Sequence, residues 1–256
     1  QKLLYCISLS NINNMKKYLL KYSLEFLVIV MGISVSFWVN EWNNDRLNFT
    51  SHERDIKSLI SDLKNDSIKY ELVLKDLIDG EKSTKKIAKL SESLISNKIS
   101  YNYFTNEIIK IGVPYKYQTF FMTDGNYKSL QADNKINLFP EGLQKVINNY
   151  YEFISKRIFD NNHLVDNTTI NYYNNVHTFS VYYSVNKDDF EKVKSFKNYF
   201  INDLMKKKYS DINFLNETNN LLERILIYKR QISNFSNQRD ELALALENYL
   251  NTVAKP

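Results

Sequence analysis

Glycine and proline are scarce in this chain, 5 and 3 of 256 residues, and cysteine occurs once. So little turn-forming material disfavours a many-stranded sheet or a glycine-rich phosphate loop, whereas helices need few of either. The class expected is mainly α. A lone Cys6 excludes an internal disulfide framework and a cysteine-cluster metal site. The histidines His52, His163 and His177 form no HExxH or HxH pair, and Asp160 beside His163 reads as a solvated helix face. Also missing are G-x-S-x-G, G-x-x-x-x-G-K-[ST] and G-x-G-x-x-G, so hydrolase and nucleotide-binding readings lose their sequence support. No carboxylates pair in a way assignable to acid/base work. The expectation is a protein that is not an enzyme and holds no cofactor or metal.

What is present is apolar and aromatic. A content of 43% hydrophobic and 14% aromatic residues is enough for a core and unlike that of disordered chains. The length suits one medium domain plus an anchor, or two small domains. The net charge is +5, but acids and bases are interspersed, and the one basic cluster, Lys206-Lys207-Lys208, reads as a solvated helix end. Nucleic acid is not an expected partner.

From Phe26 to Val39 the chain reads FLVIVMGISVSFWV without a charge, and Tyr18, Leu19, Leu20, Tyr22 and Leu24 extend the apolar character backward. Roughly 20 residues at about 1.5 Å rise cross a hydrocarbon core, so residues 18–42 are expected to form a transmembrane helix with its interface. Lys21 can snorkel to the headgroups and pair with Glu25 one turn on. Trp38 and Trp42 mark the far interface. A cleaved signal peptide is disfavoured because bulky residues stand where a small-residue cleavage site belongs, and a buried core helix is the third option. Gly32 and Ser36 make a small-xxx-small face where another helix can approach. Lys16, Lys17 and Lys21 place the N-terminus in the cytoplasm by the positive-inside bias. Met15-Lys16-Lys17 resembles a translation start, and residues 1–17 read as a cytoplasmic extension.

Residues 43–256 read as a helical extracytoplasmic domain. Ile56, Leu59, Leu63, Tyr70, Leu74 and Leu77 form an amphipathic stripe expected to start near Thr50 or Ser51, where Thr50 and Glu53 have capping-box spacing. It is expected to break at Asp79-Gly80, with a second helix over 83–96. A short helix and loop follow up to Met122, Pro114 interrupting the backbone, and Thr123-Asp124-Gly125-Asn126 is turn material capping a helix through Leu130. Pro140 opens a helix striped by Leu143, Val146, Ile147, Tyr150, Tyr151, Ile154 and Ile158. Further helices are expected over 161–183 and 188–205, Asp188 and Asp189 favouring the start of the latter. In the last helix Leu221, Ile225, Tyr228, Ile232, Phe235, Leu242, Leu246 and Tyr249 alternate steps of four and three, interrupted only by Arg239. This seam needs a partner helix. The natural mate is the helix after the anchor, giving an elongated bundle with long antiparallel coiled-coil-like helices; a coiled-coil homodimer has the same periodicity.

The stretch YLLKYSLEFLVIVMGISVSFWVNEWNNDR, followed by an amphipathic helix, resembles the N-terminus of an uncharacterised family of single-pass membrane proteins common in Bacteroidota. Asn126-Tyr127-Lys128-Ser129-Leu130, then Asn134 through Leu138 and the helix bearing Tyr150-Tyr151, resembles that family's middle block. The resemblance implies a membrane location and supplies no catalytic residue. The functional expectation is a membrane-anchored interaction or accessory protein, with lipid and another membrane or envelope protein, or a second copy, as partners. The alternative is a ligand-sensing input domain, which would need a partner for output because few residues precede Tyr18.

Overall fold

The computed structural model describes the backbone of residues 2–116, 118–187 and 192–253, and the side chains of residues 21–116, 118–187 and 194–253. Expectations resting on Tyr18, Leu19, Leu20, Asp188 and Asp189 side chains lie outside those ranges. The described residues are mainly helical and contain no strand. The helices are α1 (Lys2–Ile95), α2 (Tyr101–Ile111), α3 (Gly125–Ala132), α4 (Glu141–Asn148), α5 (Ser155–Asn171), α6 (Phe179–Asn186), α7 (Lys192–Ile201), α8 (Asp203–Tyr209) and α9 (Ile212–Val253). A 3-10 turn spans Lys135–Leu138, and π-helical segments at Asn149–Ile154 and Tyr172–Val176 join α4 to α5 and end α5. The chain divides into two compact units, Gln1–Arg54 and Asp55–Pro256.

In the first unit α1 is long and apolar enough to cross a membrane, and every residue from Lys21 to Trp42 is exposed. No helix starts at Thr50. Its hydroxyl donates to the Arg46 carbonyl at 2.9 Å, one turn back, so it bonds within the helix instead of capping a new one.

In the second unit the expected break at Asp79-Gly80 is absent, and the helix expected over 83–96 is the end of α1. The buried positions Ile56, Leu59, Leu63, Asp66, Val73, Leu77, Gly80, Thr84, Ile87, Ser91 and Leu94 keep steps of three, four or seven. The stripe therefore continues through Gly80, with small or polar residues at Gly80, Thr84 and Ser91 between the apolar ones. Helix α9 has the matching pattern: Leu221, Ile225, Tyr228, Ile232, Phe235, Arg239, Leu242 and Leu246 are all buried, and Tyr249 is half-buried. One core joins Ile56, Leu59, Leu63, Val73 and Leu77 of α1 to that face of α9 and to Tyr150, Tyr151, Ile158 and Val165. A second core gathers Ile87 and Leu94 with Phe104, Ile108, Phe179, Phe200, Tyr209 and Phe214.

Local starts and stops follow ordinary capping. Ser100 Oγ accepts from the Tyr103 N–H at the head of α2, and Gly112, at φ +68°, closes its tail. Asn202 caps α8 in the same way through the Leu204 N–H. Each π segment coincides with a tyrosine pair, Tyr150-Tyr151 and Tyr172-Tyr173, and all four rings are buried. Adjacent residues on an α-helix sit about 100° apart, and the wider π turn brings both rings toward the core.

Candidate functional site

In the first unit the anchor residues lie on one exposed helix. Lys21 Nζ stands 3.9 Å from Glu25 Oε1, the expected one-turn pair. Ser36 Oγ donates to the Gly32 carbonyl at 2.8 Å, so the hydroxyl is satisfied within its own helix. A Cβ on Gly32 would meet nothing within 4 Å. Trp38 and Trp42 are exposed, and the Arg46 guanidinium lies 5.6 Å from the Trp42 ring centre.

The second unit holds a polar cluster that the apolar stripe concealed. Between Leu63 and Tyr70 the core position one turn on is occupied by Asp66, which is fully buried. Its Oδ1 accepts from the Thr123 N–H at 2.9 Å, from Thr123 Oγ1 at 2.6 Å and from Lys69 Nζ at 3.5 Å. Its Oδ2 accepts from the Tyr150 hydroxyl at 3.3 Å. Lys69 completes the ring by donating to Thr123 Oγ1 and to the Phe121 carbonyl. Asp62, one turn earlier, accepts from Asn126 Nδ2 at 2.9 Å. The two aspartates thereby bind the 121–126 segment to α1.

Tyr127 stacks on Tyr151 with ring centres 4.5 Å apart and donates to Glu152 at 2.8 Å. Asn126-Tyr127 and Tyr150-Tyr151, distant in sequence, thus meet around one cluster. A family model for a family of unknown function, DUF6090, matches residues 25–182, more than half the chain. The chain belongs to that family. No curated protein and no solved structure matches it. The DUF6090 stretch includes Asp62, Asp66, Thr123, Asn126 and Tyr150, and ends inside α6, so α9 lies beyond it.

Helix α9 completes this DUF6090 core with polar groups of its own. Arg239, the interruption in the seam, is buried; it donates to Ser236 Oγ at 3.0 Å and to Asp240 Oδ1 at 2.7 Å, and its guanidinium lies 5.4 Å from the Tyr70 ring centre. The Tyr228 hydroxyl accepts from the Phe120 N–H at 2.8 Å and donates to Asn162 Oδ1 at 2.7 Å, and Asn162 in turn donates to the Phe120 carbonyl. Lys229 pairs with Glu81, which also holds Lys85 and is kept below the usual carboxylate range by Lys229 first and Lys85 second.

Burial pushes the Asp66 carboxyl up despite the donors from Thr123 and Lys69, and pushes Asp62 up despite Asn126. Asp62 Oδ2, the Tyr151 hydroxyl and Arg239 Nη1 have no hydrogen-bond partner among the described residues. Chemically the cluster can tether a segment and take up a proton. His177 is fully buried among Tyr172, Phe179, Tyr209 and Phe214, its Nδ1 3.2 Å from the Tyr209 hydroxyl. Burial, assisted by the Lys208 charge, pulls its pKa down to about 3.

Proposed function

We propose that this DUF6090 protein is a membrane-anchored interaction or accessory protein. Its apolar segment crosses the cytoplasmic membrane once, leaves the N-terminus in the cytoplasm and holds the helical unit on the extracytoplasmic, periplasmic side. There that unit binds another membrane or envelope protein, or a second copy of the chain. The observation that carries the reading is the exposure of every residue from Lys21 to Trp42 around an apolar run. Such a surface is stable among lipid tails and unstable in water. Lys21 on one side and Glu41 and Asp45 on the other support the orientation, and the single-pass topology and Bacteroidota distribution follow the resemblance.

An antiparallel, coiled-coil-like pairing of α1 with α9 is supported by two contacts. Tyr70 faces Arg239 and Glu81 faces Lys229, so numbers rise on one helix as they fall on the other. With the α9 seam satisfied inside the chain, partner binding is left to outer faces and to the Gly32-Ser36 notch. A photo-crosslinking residue at Ser36, and a second on the exposed face of α5 at Leu164, tests this in intact membranes. Capture of one defined polypeptide from either position supports it. Lipid adducts alone, together with a monomeric chain in mild detergent, refute it.

A further inference from the structure

A cavity of about 540 Å³ opens in the second unit between the segment that follows α2 and helix α6. Its volume falls in the range of roughly 300–1,000 Å³ typical of small-molecule sites. The walls are built ahead of any ligand. Tyr173, on the second π segment, grips the backbone of Tyr115 from both sides, accepting its N–H at 3.0 Å and donating to its carbonyl. Gly112 lies under the Tyr183 ring so closely that a Cβ would stand 2.8 Å from it, and its φ of +68° suits glycine. The loop is thereby pinned in place against α6.

The lining has two characters. Val113, Val181 and Val185, with the Tyr183 ring, make an apolar wall, and Lys116, on the loop, and Lys187, at the end of α6, line the same cavity. Neither lysine has an ion-pair partner among the described residues. Ser180 lines the same cavity; it is 2% exposed and its hydroxyl has no hydrogen-bond partner among the described residues. A buried hydroxyl without a partner is uncommon and calls for an acceptor. Two cations beside an apolar wall fit one chemistry.

We propose that this cavity binds an amphipathic carboxylate, its apolar body against Val113, Val181 and Tyr183 and its carboxylate between Lys116 and Lys187. The inference does not depend on membrane anchoring or on a protein partner. The test is calorimetric titration of the full chain in nonionic detergent with 2-naphthoate and with its neutral analogue 2-naphthylmethanol, against empty micelles. Saturable one-to-one binding of naphthoate is expected, with the alcohol at least tenfold weaker. The exposed double variant Lys116→Gln/Lys187→Gln should lose at least tenfold, and Val181→Trp, which fills the hollow, should abolish binding while its thermal midpoint reports an intact fold. No saturable heat, equal affinity for the alcohol, or binding that survives Val181→Trp would overturn the assignment. Competition separates sources: displacement by decanoate points to lipid-derived acids, displacement by phenylacetate alone to water-borne aromatic acids, and displacement by neither overturns the carboxylate class.

Discussion

Acidification should loosen the second core through one residue, His177. Its side chain is fully buried, with ring centres of Tyr172, Tyr209 and Phe214 each 5.7 Å away, and among the described residues the charge acting on it is that of Lys208, which opposes protonation. Burial is the larger cause and Lys208 the smaller, and together they bring the imidazole from an ordinary 6.5 to about 3. The unfolded chain therefore binds a proton below 6.5 that the folded chain refuses. Stability contributed by the neutral ring is complete above 6.5 and is lost as pH falls from there toward 3. At about 1.4 kcal/mol per pH unit, the loss is about 2 kcal/mol by pH 5.0 and on the order of 5 kcal/mol at the lower limit. Urea titration of the full chain in nonionic detergent, followed by far-ultraviolet circular dichroism at pH 7.5 and 5.0, measures it. His177→Phe, which keeps an aromatic ring in the box, should remove about 2 kcal/mol of the acid-induced loss. Identical pH dependence in parent and variant would refute the burial of a neutral histidine.

The aspartates of the first core act in the opposite direction. Burial raises Asp62, Asp66 and Asp166 above 3.8, so their contribution to stability grows as pH falls through their folded values. Asp66→Asn keeps an acceptor for Thr123 and should be as stable as the parent at pH 7.5, with a weaker dependence on pH. Asp66→Ala leaves the Thr123 N–H unpaired and should cost about 1–3 kcal/mol, read from the same urea titrations. Gly80→Ala should destabilise although alanine favours helix by about 1 kcal/mol. The new methyl would stand 2.6 Å from Tyr115 Cδ2, on a ring whose backbone Tyr173 holds, and a cost of roughly 1–3 kcal/mol is expected in thermal unfolding. Tyr228→Phe strands the Phe120 N–H and Asn162 Oδ1 and should cost about 2–3 kcal/mol, whereas a null effect would deny that this hydroxyl bridges α9 to the 120 segment.

The long elements were readable wherever apolar residues mark the buried face. Ile56, Leu59, Leu63 and Leu77 announced α1, and Leu221 to Leu246 announced α9, because burial there is apolar and evenly spaced. The false break came from Gly80, whose usual meaning of helix stop is overridden by tertiary contact with Tyr115. The false start came from Thr50, whose spacing to Glu53 imitates a cap. The π segments left no trace in spacing beyond the adjacent tyrosines themselves. Of the polar cluster, the one available signal was negative: the stripe skips from Leu63 to Tyr70, and the missing position holds Asp66. A buried aspartate in a helix resembles an exposed one in sequence, since its partners Thr123 and Tyr150 come from elsewhere in the chain. Tyr228 was read as an apolar seam residue, and only the fold reveals the work of its hydroxyl.

Whether the Phe26–Val39 stretch lives in lipid is decided by alkaline carbonate washing of membranes from cells making the full chain. The chain should remain in the pellet, and the variant Val28→Lys/Val30→Lys/Ile33→Lys should be released with its helicity intact, because each lysine near the middle of a span costs about 2.5–3.5 kcal/mol. Recovery of the unsubstituted chain in the soluble fraction, free of detergent and of any other protein, would contradict the membrane anchor on which the proposed function rests.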